Sequence, residues 1–211
     1  MKKKVGVFCI GMIVMVSAFL GCEKKKETTV SAYPDTLIQE EVIRTDTAYE
    51  WKRLSWYTGK EDAEKTLTGY TKETDQNDIQ IYWTDGTLKD GTPVKEQVFV
   101  GYKQGDKNME LVGVQITVFM EDEEKAAQFM ETWKDALNDW REQENTHVTW
   151  NKDTVQLLNQ ESGSYIALYE YPKISEERKE EFSNITWDTY SAVSVNLWCP
   201  EDRLAGVKNI N

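Results

Sequence analysis

The chain has 211 residues, with 25 Lys and Arg against 37 Asp and Glu, a formal net charge of −12. That length allows about one domain, and the acidic balance argues against a nucleic-acid partner, because binding phosphate backbones requires clustered Lys and Arg. One His and three Cys leave little for metal sites or nucleophile–base chemistry, while 11% aromatic residues and periodic segments argue against disorder.

The first element is an address. Lys2, Lys3 and Lys4 form a positive start, and residues 5–20 are a continuous, uncharged, mostly apolar stretch. A spanning helix needs about 20 such residues, so this one is short for a permanent anchor. A positive start, an apolar middle and a small residue before cleavage make a secretory signal, with Gly21 as that small residue and Cys22 directly after it. Residues 1–22 thereby resemble a bacterial lipoprotein precursor. Phe19-Leu20-Gly21-Cys22 takes the place of the lipobox, with Phe19 and Leu20 where the family favours Leu and a small residue. The resemblance implies that residues 1–21 are a signal peptide and that Cys22 receives a diacylglyceryl group. Two buried acyl chains anchor stably where one does not.

Removing residues 1–21 takes away three of the 25 basic residues and none of the 37 acidic ones, so the net charge falls from −12 to −15. An acidic domain is repelled by an anionic membrane surface. The polar residues 23–34 are expected to be a flexible tether that lets it stand off, leaving residues 35–211 as one extracytoplasmic domain.

In that domain Leu37, Ile38, Val42 and Ile43 fall on helical spacing, with Asp35 as N-cap. Thr58 and Glu61 have the spacing of a capping box for a short helix over 61–70. From Ile79 the period becomes two: a strand at 79–83, turn signals at Asp85-Gly86 and Asp90-Gly91, and a returning strand at 94–103. Residues 105–108 are a further turn. Residues 111–120 alternate, with Val112, Val114, Ile116, Val118 and Met120 one way and Gly113, Gln115 and Thr117 toward the expected less buried face. Over 122–143, Phe129, Trp133, Ala136, Leu137 and Trp140 form one apolar stripe.

A hairpin around Asn151-Lys152, a strand at 165–171, a short acidic helix at 176–183, a strand at 190–199 and an irregular tail at 201–211 complete the reading. The expected class is α+β: a single domain, a twisted antiparallel sheet with one long amphipathic helix (122–143) packed on one face, and shorter helices. The repeated strand-strand-strand-helix order leaves a structural duplication open. Together with the segment GKEDAEKTL at 59–67, this order resembles small α+β modules of bacterial envelope lipoproteins and secreted inhibitor proteins, a likeness too short to transfer any residue role.

No catalytic fingerprint occurs, no metal site or cofactor is implied, and no enzyme is expected. Cys199, at the end of an apolar alternation, reads as a buried, inert thiol. The unusual feature is eight Trp and ten Tyr. Flat rings on an anchored domain stack on sugars or form protein-binding patches, and Trp83, Trp150 and Trp187 are the candidate ligand-binding aromatics. The competing explanation is that the rings fill a core short of Leu and Ile. The leading expectation is a lipid-anchored, non-enzymatic module that binds a protein or an extracellular polymer. The alternatives are a sugar or small-molecule binding accessory protein with an aromatic cleft, and an envelope hydrolase with a carboxylate pair.

Overall fold

The computed structural model describes residues 31–34, 36–74, 79–102, 108–173 and 190–200. The expected signal peptide 1–21, Cys22, residues 23–30, Asp35, residues 105–107 of the turn expected at 105–108, the helix expected at 176–183, Trp187 and the tail 201–211 lie outside them. The described elements, in chain order, are β1 (Ser31–Tyr33), α1 (Leu37–Glu41), β2 (Val42–Arg44), β3 (Tyr49–Trp51), α2 (Lys60–Thr66), β4 (Thr71–Thr74) and β5 (Gln80–Leu88). Then come β6 (Pro93–Tyr102), β7 (Met109–Met120), α3 (Glu123–Arg141), β8 (Thr146–Trp150), β9 (Thr154–Asn159), β10 (Tyr165–Tyr171) and β11 (Ser191–Trp198).

This corrects the expected α+β class. The described residues are mostly strand, set against helices of 5, 7 and 19 residues. Nine strands join in one sheet, β1-β5-β6-β7-β11-β10-β9-β8, with β4 also on β5, and β2 and β3 form a separate pair. The sheet is not purely antiparallel, since β1 runs parallel to β5. The two groups of strands do not close separate halves: β11 lies between β7 and β10 and ties them together.

Most of the local corrections share one cause, that extended backbone continues where turns, helix or tether were expected. The helix after Thr36 stops at Glu41, and Val42 takes φ −111° and ψ 137° and starts a strand. Asp85-Gly86 is not a turn but stands inside β5, opposite Lys95 and Val94. The reversal comes at Asp90-Gly91, where Gly91 has φ +90° and its N–H reaches the Leu88 carbonyl at 3.0 Å. The capping box at α2 does not form. Gly59 is the N-cap with no side-chain cap, and the Thr58 hydroxyl donates to the Ser55 carbonyl instead. Ser31–Tyr33, expected within the tether, is already in the sheet.

Because side chains alternate along strands, the register sorts the sheet into two faces. One carries the row Tyr82–Val98–Val114–Leu197–Ile166–Leu157–Val148, and beside it Thr84–Glu96–Ile116–Val195–Leu168–Val155–Trp150. Apart from Glu96 and Thr84 these rows are the apolar core, with all but Val148 and Trp150 buried. α3 contacts β7, β8, β9, β10 and β11, and its Ala126, Met130, Trp133 and Leu137 are fully buried.

The opposite face carries Phe99–Gly113–Trp198–Tyr165 and a polar row, Gln97–Gln115–Asn196–Ala167–Gln156. It was expected to be the less buried side of β7, yet Gln115 and Thr117 are as enclosed as the apolar row. Gly113 is required here. A Cβ at that position would stand 2.8 Å from the Trp198 ring, which stacks on Phe99 across the strand at 5.4 Å between centroids. The register shift between Phe99 and Val100 sets Leu111 opposite Val100 and leaves Val112 out of the expected row.

Candidate functional site

The most unusual chemistry in the described residues is a carboxylate buried in the core. Glu96 shares the inward side of β6 with Val94 and Val98 and has no exposed surface. Three donors from the N-terminal third of the chain reach it. The Tyr33 hydroxyl, from β1, donates to Oε2 at 2.5 Å, and the Tyr70 hydroxyl, after α2, donates to Oε1 at 2.7 Å. Arg53, after β3, donates from Nη1 to Oε2 at 3.2 Å and from Nε to Glu41 at 3.0 Å. The guanidinium lies over the Tyr33 and Trp51 rings, 5.5 and 5.3 Å from their centroids.

Burial, then the charge of Glu96, raises the Tyr33 and Tyr70 hydroxyls well above the ordinary phenol range, so both stay protonated donors. For Arg53 burial works against the charge, but Glu96 and Glu41 outweigh it and hold the guanidinium above its usual value. Each Glu96 oxygen is engaged and the group is sealed from solvent. The arrangement therefore acts as a clasp rather than a reacting centre. It fastens β1, the segment after β3 and the end of α2 to the middle of the sheet.

A second, more open pairing lies nearby. The Tyr82 hydroxyl donates to Glu64 at 2.6 Å, and Lys72 bonds the same carboxylate at 2.9 Å. Burial, followed by that bond to Glu64, pushes Tyr82 up to about 12. An open groove of about 510 Å³ runs beside α2, lined among others by Tyr57, Lys60, Asp62, Met109 and Glu110. Cys199 is buried and forms no disulfide.

Of the rings singled out in the sequence, Trp83 and Trp150 can be placed, and they share no cleft. Trp83 stands opposite Gln97 on the polar face, whereas Trp150 stands opposite Val155 on the core face. Six strand spacings separate β5 from β8, roughly 29 Å at about 4.8 Å each. Both are half-buried, and each has a cation over one side. Lys95 Nζ is 4.4 Å from the Trp83 ring centroid, and Arg141 Cζ is 5.2 Å from that of Trp150.

Packing accounts for seven other rings. Trp51, Trp56, Trp133, Trp198, Tyr33, Tyr49 and Tyr82 are buried, and the Trp56 indole donates to the Tyr49 carbonyl at 2.7 Å. Glu96 was missed, although its place between Val94 and Val98 on an alternating strand was the signal that it points inward. Among the described residues no helix is long and apolar enough to cross a membrane. Comparison with protein-family models, curated proteins and solved structures finds no match for this chain.

Proposed function

We propose that the protein is a lipoprotein held on the extracytoplasmic face of the cell membrane through Cys22, where it works as a non-enzymatic module that binds a protein or an extracellular polymer. The observation that carries the reading is Gly21-Cys22 directly after the uncharged stretch 5–20 with its lysine start. The point of attachment supports it. Only residues 23–30 separate Cys22 from β1, and β1 is fixed by pairing with β5 and by Tyr33 on Glu96. A pull on the lipid end is therefore passed to the sheet through β1. The binding half rests on Trp83, a half-buried ring on the polar face with Lys95 over it and exposed Asp85 two residues on.

Cys22→Ala should move the protein from the membrane to the soluble fraction or stall it as the larger precursor. Unchanged fractionation and unchanged mass overturn the anchor. Trp83→Ala removes the ring and leaves the strand in place. In retention on immobilised cell-wall polymer and on immobilised envelope proteins, it should lower whichever matrix holds the parent protein. Equal retention of parent and variant removes Trp83 from the binding surface.

A further inference from the structure

We propose that the outer edge of β8 pairs with the same edge of a second copy of this chain, antiparallel and in register about a two-fold axis at Val148. Among the described residues β8 is the last strand on its side of the sheet. Which of its backbone groups are free follows from two bonds. Asn151 N–H reaches the Thr154 carbonyl at 2.8 Å, and Gln160 N–H reaches the Asn145 carbonyl at 2.7 Å. In an antiparallel ladder the bonded pairs alternate, so residues 145, 147, 149 and 151 face β9 and residues 146, 148 and 150 face outward. Val148 and Trp150 thus turn both N–H and C=O away from the sheet, and Thr146 turns its C=O, its N–H being 3.4 Å from the Gln143 carbonyl.

Such an edge is normally blunted by Lys, Pro or a bulge. The opposite edge of this sheet is: β1 has three residues, and β4 carries Lys72, ion-paired to Glu64. β8 reads Thr-His-Val-Thr-Trp, pairs with β9 without a bulge and has none of these devices.

The choice of a second copy comes from the register. With Val148 opposite Val148, Thr146 meets Trp150 of the other copy, so every outward-facing N–H finds a carbonyl and only the Trp150 carbonyl is left to water. The two Val148 residues exchange two bonds, and each Trp150 N–H finds a Thr146 carbonyl. The same patch used by both copies makes the contact isologous, so it closes as a dimer. The net charge of −12 opposes association, but it is screened beyond about 8 Å at physiological ionic strength.

Directly opposed residues in a bonded antiparallel pair have Cα atoms about 5.5 Å apart, within disulfide range. Val148→Cys in the full chain, extracted in detergent and mildly oxidised, should therefore run as a covalent dimer on a non-reducing gel. The parent chain and Asp135→Cys, on the exposed flank of α3, should not. In sedimentation at matched detergent density the parent should be dimeric and Val148→Pro monomeric. Proline removes an N–H that β9 does not use, and circular dichroism checks that the fold is kept. A parent monomeric at every concentration, a Val148→Pro variant that stays dimeric, or a Val148→Cys cross-link to a different protein would each overturn the proposal.

Discussion

Arg53→Met should cost this protein roughly 3–5 kcal/mol of unfolding free energy, because it strips the counter-charge from a carboxylate that has no contact with water. Glu96 has zero exposure and Arg53 about a third of its side chain open, so the penalty is not symmetric. Removing the arginine leaves a fully buried charge with two phenols. Glu96→Gln leaves a guanidinium that can still turn to Glu41 and solvent, and should cost only about 1–3 kcal/mol. Arg53→Met with Glu96→Leu removes both charges and should recover much of the loss. Chemical denaturation of the three variants decides the matter. If Arg53→Met unfolds at the parent's midpoint, the clasp does not hold the fold.

The phenols add a pH signature. Their folded pKa values are raised from 10.0, so the stability they contribute is fully present below pH 10 and is lost as pH rises above it. Tyr33→Phe and Tyr70→Phe should flatten that alkaline decline.

The sequence made the strands from Pro93 onward legible and the N-terminal third much less so. β6, β7, β9 and β10 alternate over six to twelve residues, long enough for a period of two to stand out. β1, β2 and β4 have three or four residues each, too few for any period. The Leu37, Ile38, Val42, Ile43 spacing suits a helix as well as a helical turn followed by a strand. Tertiary pairing with β3 decides for the strand. Asp85-Gly86 and Asp90-Gly91 carry the same turn dipeptide, and nothing local distinguishes them. The difference is that residues 85–86 find partners on β6 and residues 90–91 do not. Adding these short segments to the large sheet is what moves the class from α+β to mostly β.

The site was legible in one respect that alternation alone supplies. In Val94-Lys95-Glu96-Gln97-Val98, an inward pair of valines brackets an acid, which must then find buried donors. Which donors it finds could not be read, because Tyr33, Arg53 and Tyr70 come from three separate short segments, 26 to 63 residues away.

Trp133→Ala should lower stability by roughly 3–5 kcal/mol, a large part of the ~5–15 kcal/mol typical of a domain. Trp133 is fully buried on α3 and packs against Phe129 at 4.9 Å between ring centroids. Among the described residues its indole N–H has no hydrogen-bond partner, so the expected loss is cavity and apolar burial. Trp133→Phe separates these terms. It keeps an aromatic ring and removes an unpaired donor, and should cost clearly less than alanine. The control must be chosen from the structure rather than from helical spacing. Glu131 falls on the polar side of α3, yet its carboxylate holds the Lys134 ammonium at 2.6 Å, and that ammonium is buried and also bonds the Lys152 carbonyl at 2.5 Å. Glu131→Ala therefore strands a buried charge and should itself destabilise, by about 1–3 kcal/mol. Asp135, exposed on the same helix, is the neutral control, expected within about 0.5 kcal/mol of the parent. The expected order of unfolding midpoints is Asp135→Ala with the parent, then Glu131→Ala, then Trp133→Ala well below. Coincidence of the first and last would mean that Trp133 fills no core, and the stripe on α3 would have to be read as a surface.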